Sequence, residues 1–105
     1  MKAVWNVSRN IDGEVALPGE TLEYTIYYEN IGNGLVDELV IYDNVPEFTQ
    51  LVPASQLCLP ANTPPELLAC AANDDGTGGL SWEWTAGDKL NPGSSGSVSY
   101  RVTIE

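Results

Sequence analysis

Any chemistry in this chain must come from oxygen and sulfur, because its 105 residues include no histidine. That removes Ser-His and Cys-His nucleophile pairs, and every metal site that needs an imidazole. Ser94, Ser95 and Ser97 are concentrated in PGSSGS, a turn composition with no base nearby in sequence. Fifteen acidic side chains could include an acid/base couple by chance. Such a couple needs a cleft that raises one carboxyl and spares the other, and no stretch of the sequence supplies one. The expectation is a protein without catalysis.

The segment NDDGTGG offers the densest set of hard ligands. Asn73, Asp74 and Asp75, followed by Gly76, place oxygen donors on a bendable backbone, as calcium requires. The alternating acidic order and the distant bidentate glutamate of an EF-hand are missing. A solvated turn, with Asx side chains bonding their own backbone, is the favoured reading, and weak calcium binding is the functional one. No other cofactor is expected.

Cys58 and Cys70 stand in SQLCLPANTPPELLACAANDDG, and with no histidine they cannot form a zinc site of mixed ligands. Two unrelated small hydrophobes are the plain alternative; a disulfide is expected instead, because this Pro-rich segment has little else to fix it. Closing a loop of about a dozen residues would stabilise by ~3 kcal/mol and implies an oxidising compartment. Two further features are weighed and set aside. Asn6-Val7-Ser8 is a glycosylation sequon that is read as chance. Lys2 could supply the amine of a covalent lock to the last strand, but VSYRVTIE holds neither Asn nor Asp to receive it.

The elements that would position these residues are strands. Thr21 to Glu29 alternates strictly, with Leu22, Tyr24, Ile26 and Tyr28 on one face and Glu23, Thr25, Tyr27 and Glu29 on the other. AVWNVSRNI reads as a first strand and LPGE as a turn. The run LVDELVIYDNVP turns Leu39 and Ile41 to a core and ends at Pro46, which cannot donate to a ladder. TQLVPAS is a short extended piece. Thr63-Pro64-Pro65-Glu66 resembles a capping box, so residues 64–72 are open to a short helix or a strand. LSWEW then puts Leu80, Trp82 and Trp84 on one face, and SGSVSYRVTIE alternates Val98, Tyr100, Val102 and Ile104 with Ser97, Ser99, Arg101 and Thr103. Trp5, Trp82, Trp84 and the five tyrosines are mainly core and sheet packing rather than a sugar platform, with Tyr27 and Tyr42 the aromatics expected to face outward. NIGNG follows a strand and precedes another strand. It therefore lacks the helix N-terminus of an anion cradle and reads as a reversal of the chain.

At 43% hydrophobic and 18% charged, the chain suits one domain spanning residues 1–105. About seven short strands separated by turns describe an all-β, antiparallel sandwich with room for one short helix between Cys58 and Cys70. The formal charge of −11 argues against nucleic acid and anionic membrane surfaces, which attract basic faces. No window approaches a membrane span, and MKAVWNVSRNIDGE lacks the apolar centre of a secretory signal. Met1 is either the native start or a start added to an excised module.

The order of motifs resembles the bacterial and archaeal surface-repeat family called domain of unknown function 11. The residues at matching places are Pro18, Gly19 and Glu20 in the first turn, Tyr24, Asn30 and Gly32 in the Y-T-I strand and its N-x-G ending, Asp43 and Pro46 at the D-x-x-P strand end, Trp82, and Pro92 and Gly93 in the last turn. The resemblance spans residues 15–105, and a Cys pair in the variable stretch is similar to one subgroup. It implies an immunoglobulin-like sandwich, strung in tandem in exported proteins, with a structural or adhesive role. Its partners would be neighbouring domains or copies of itself, outside the cell. The alternatives are a self-assembling subunit of an extracellular filament or virion decoration, through edge pairing or exchange of SGSVSYRVTIE, and a calcium- or carbohydrate-binding module.

Overall fold

The computed structural model describes residues 2–59, 62–85 and 87–105. They form two antiparallel sheets packed face to face. In order, the first holds β2 (Ile11–Asp12), β1 (Lys2–Asn6), β3 (Thr21–Glu29), β10 (Ser95–Ile104) and β6 (Thr49–Leu51), and the second β5 (Val40–Asn44), β8 (Gly79–Trp84) and β7 (Cys70–Asp74), with a small pair, β4 (Val36–Asp37) and β9 (Lys89–Leu90), at one end. β1 (Lys2–Asn6) and β2 (Ile11–Asp12) form a hairpin rather than the single strand expected of AVWNVSRNI. The reversal has two causes: Asn6 Oδ1 accepts the Arg9 N–H, and Asn10 adopts φ 58°, a left-handed angle that asparagine tolerates.

β3 (Thr21–Glu29) follows the turn at Pro18-Gly19, where Gly19 has φ 86° and donates its N–H to Ile104 O. The run after NIGNG is broken into β4 (Val36–Asp37) and β5 (Val40–Asn44) by Glu38, whose φ is 53°. β6 (Thr49–Leu51) pairs with the far end of β10, and the chain then continues along the flank of β10, with Leu57 bridging Ser99. β7 (Cys70–Asp74) and β8 (Gly79–Trp84) form the second hairpin. β9 (Lys89–Leu90) precedes β10 (Ser95–Ile104), which lies between β3 and β6.

No α-helix forms among the described residues between Cys58 and Cys70, where the only helical residue is Asn62, in a 3₁₀ turn. Residues 64–67 make a turn closed by Leu67 N–H to Pro64 O, and the next two amides, Leu68 and Ala69, donate to Asp88 Oδ2 at 2.8 Å each. A helix would need those amides for its own carbonyls; the Asp88 carboxylate takes them, and the chain enters β7 instead.

The core lies between the sheets. Leu22 from β3, Val98, Tyr100 and Val102 from β10, and Leu80, Trp82 and Trp84 from β8 are buried there, with Leu67 and Leu90 closing one end. Tyr100 stacks on Tyr24 within its sheet and meets Trp82 across the gap, with ring centroids 5.3 and 5.9 Å apart. Without the two-residue strands β2, β4 and β9, the sandwich is four strands against three, as in immunoglobulin-like domains. Lettered in chain order, its sheets read A-B-G-D and C-F-E, so the last strand occupies the place that the fifth strand has in an antibody constant domain.

Candidate functional site

One oxygen of each carboxylate at the β7–β8 turn is engaged within the turn itself. Asp75 Oδ1 accepts from Thr77 N, Thr77 Oγ1 and Gly79 N at 2.7, 2.8 and 3.0 Å, and Asp74 Oδ1 accepts from Gly76 N. The Thr77 N–H above all holds the Asp75 carboxyl below its ordinary value. A Cβ on Gly79 would collide with the Asp75 side chain, so the turn is closed around that carboxylate. Asn73 lies on β7, and its carbonyl accepts from Gln56 Nε2 at 2.9 Å. Among the described residues no group of His, Cys, Asp or Glu converges as a metal site would.

A second cluster joins the two sheets. Lys2 Nζ on β1 and Tyr100 Oη on β10 both lie 2.8 Å from Asp43 Oδ2 on β5. Lys2 also sits 4.7 Å above the centroid of Tyr24, a cation–π distance. Burial first, and then the Asp43 carboxylate as its hydrogen-bond acceptor, push the Tyr100 hydroxyl far above its ordinary value, so it stays a donor. Lys2 thus finds its charged partner on β5 and meets only the Tyr100 ring on the last strand. The sequence contains both residues, but nothing in it says that β5 crosses β1 at that height.

Cys58 and Cys70 are bonded to each other. The bond runs from the segment flanking β10 in the first sheet to the start of β7 in the second, so it staples one sheet's margin to the other's. Beside it, Trp84 Nε1 is buried without a hydrogen-bond partner among the described residues, and burial raises the Tyr28 hydroxyl above its ordinary value, with the Thr63 side chain acting the other way.

The remaining motif residues occupy turns and joints. Asn30 is buried, donates through Nδ2 to Gly34 O and Leu90 O, and accepts the Gly32 N–H. Gly93, after Pro92, adopts φ 83° and donates to Asn30 O at 2.7 Å. Thr49 Oγ1 donates to Pro46 O, and the fully buried Trp82 donates Nε1 to Leu57 O. Asn6 of the sequon is fully buried, with Nδ2 on Val15 O at 2.9 Å, which leaves no room for a glycan. Tyr27 and Tyr42 face outward at 43% and 75% exposure. Asp88 and Asp37 also prove structural, Asp37 Oδ1 accepting the Gly87 N–H. No signal in a single sequence pairs either with its partner. No family model, curated protein or solved structure matches this chain.

Proposed function

We propose that this chain is a non-catalytic, tension-carrying spacer module of an exported prokaryotic surface protein, with neighbouring domains or copies of itself as partners. The observation that carries this reading is the direction of the first and last strands. β1 and β10 both pair antiparallel with β3, so they run the same way. Lys2 stands level with Ile26, while the Ile104 N–H bonds Glu20 O; a rise of ~3.3 Å per residue separates those levels by roughly 20 Å along the strand. A chain continued at either end would leave in opposite directions from a body 44 Å long.

Tension applied through both ends would pull β1 and β10 in opposite senses along β3. The ladder hydrogen bonds lie perpendicular to that pull and would be loaded together rather than one after another. The cross-sheet disulfide and the Lys2–Asp43 contact tie the second sheet to the same strands. The disulfide fits a non-reducing compartment, and the motif order that resembles surface repeats supports a place on the cell exterior. The acidic surface favours dispersal in water and repels nucleic acid.

Single-molecule pulling between the two ends tests the reading. A single cooperative rupture is expected, with the extension gained being shorter in the oxidised protein than in the reduced one because the Cys58–Cys70 loop stays closed. Gradual unravelling at low force would overturn it. Self-assembly by exchange of the last strand is disfavoured, since β10 is paired on both sides and its Val98, Tyr100 and Val102 are fully buried. Removing it would open the whole core.

A further inference from the structure

A cleft of about 750 Å³ opens where β3 ends and β10 begins, lined by Tyr27, Tyr28, Glu29, Asn62, Ser95 and Gly96. It lies in the volume range of small-molecule sites, and none of those lining residues is charged except Glu29. Two of its walls are set by strand register, and Asn62 supplies the third from outside the strands. Ser95 pairs with Glu29 and Gly96 with Tyr28, and Tyr27 and Glu29, two residues apart, share the outer face. Asn62 is anchored at the side by its Nδ2 on Ser97 Oγ. Gly96 lets that side close in: a Cβ there would come within 2.7 Å of Asn62 O and would collide with the Tyr28 hydroxyl.

The accessible chemistry is an aromatic ring, at 43% exposure, beside a carboxylate, a side-chain amide and a hydroxyl. An apolar ligand would desolvate the Glu29 carboxylate, the Ser95 hydroxyl and the rest of the Asn62 amide without new partners. A simple anion would face Glu29 in a chain of net charge −11. A pyranose ring answers both demands, because one face presents C–H groups to an aromatic ring and its rim presents hydroxyls that both donate and accept. Hydroxyl donors to Glu29 would make charge-assisted bonds. Preorganisation on paired strands keeps the ordering cost of binding low.

We propose that this cleft binds an uncharged pyranose unit of a glycan, with the sugar's C–H face on Tyr27 and its hydroxyls on Glu29, Asn62 and Ser95. This site stands on its own geometry and does not depend on the spacer reading, so a protein that failed the pulling test could still carry it.

The test is an amide-resolved NMR titration of the whole chain with the methyl glycosides of glucose, galactose and mannose, with N-acetylglucosamine, with neutral oligosaccharides of these sugars, and with glucuronate. At least one neutral sugar is expected to give saturable shifts confined to Tyr27, Glu29, Asn62 and Ser95 and their neighbours, with glucuronate weaker. An oligosaccharide that binds more tightly than its monosaccharide would identify an internal unit of a chain, and equal affinities would identify a terminal one. Tyr27→Ala should weaken binding by roughly tenfold or more, while Tyr27→Phe, and Tyr42→Ala on the other sheet, should retain it. Should Tyr27→Ala not fold, Glu29→Gln, at an exposed position, is expected to weaken binding in the same direction. No saturable shift with any neutral sugar at tens of millimolar, tighter binding of glucuronate, or undiminished binding by folded Tyr27→Ala or Glu29→Gln would overturn the proposal.

Discussion

Asp43 receives two donors of different worth, and this difference can be measured. Tyr100 is fully buried, and its hydroxyl bonds a charged acceptor; deleting that hydroxyl in Tyr100→Phe is expected to lower stability in urea unfolding by about 2 kcal/mol. Lys2 is 40% exposed, so screening reduces the ion pair's contribution, and Lys2→Met should lower stability by less than about 1 kcal/mol. The opposite ranking would show that the ion pair, not the buried hydroxyl, holds the sheets at that point. Carboxyls elsewhere make the fold acid-sensitive. Asp75 is held low by Thr77 and Gly79, and Glu66 by Ser94 and then by backbone N–H groups; for Glu20, burial acts upward but is outweighed by the Leu17 N–H and Arg9. A folded value below the unfolded one means stability that is complete above the ordinary values of 4.5 for Glu and 3.8 for Asp and is lost as pH falls through the lower folded values. Melting temperature should therefore drop below about pH 4, and the drop should be shallower in Asp75→Asn. Calcium at millimolar concentration is expected to leave the melting temperature unchanged, because Thr77 and Gly79 already occupy Asp75 Oδ1.

Among the elements, the segment between β6 and β7 depends most on one covalent bond. Its described residues form no α-helix and no extended strand of their own, and it is held by the Leu57 bridge, the Asp88 carboxylate and the disulfide. Reduction, or the pair Cys58→Ser and Cys70→Ser, should cost about 3 kcal/mol and lower the melting temperature by more than about 10 °C. A shift of only a degree or two would mean that the Leu57 and Asp88 contacts suffice. β10 behaves differently from what its alternation suggests. Ser97 and Ser99 belong to the face that should be wet, yet both are buried, because Leu57 bridges Ser99 and Asn62 bonds Ser97. Alternation in a sequence reports which residues share a face. It does not report what later covers that face.

For the molecule as a whole, like charge opposes compaction. Lys2, Arg9 and Arg101 are ion-paired, with Asp43, Glu20 and Glu23, which leaves most of the acidic surface facing itself. Raising salt at neutral pH shortens the screening length to ~8 Å at physiological ionic strength, so the melting temperature should rise between low salt and that point. A flat or falling trend in calorimetry would show that the three pairs matter more than the general repulsion.

The sequence by itself determined the faces of the long strands and the tight turns between them, though not the breaks at Asn10 and Glu38. A period of two puts Leu22, Tyr24, Ile26 and Tyr28 on one face whatever surrounds them, and Gly19 and Gly93 mark positive φ because other residues are strained there. It also led to the expectation that Cys58 and Cys70 pair, because the Pro-rich segment has little else to fix it, and the structure bears that out. Only the tertiary structure decided the partners that lie far apart along the chain. These are Lys2 with Asp43, Leu68 and Ala69 with Asp88, β10 between β3 and β6, and Tyr27 and Glu29 beside Asn62 and Ser95. Such pairings follow from which sheet each strand joins and at what register. That choice is made by the packing of the whole core, which no local pattern of residues encodes.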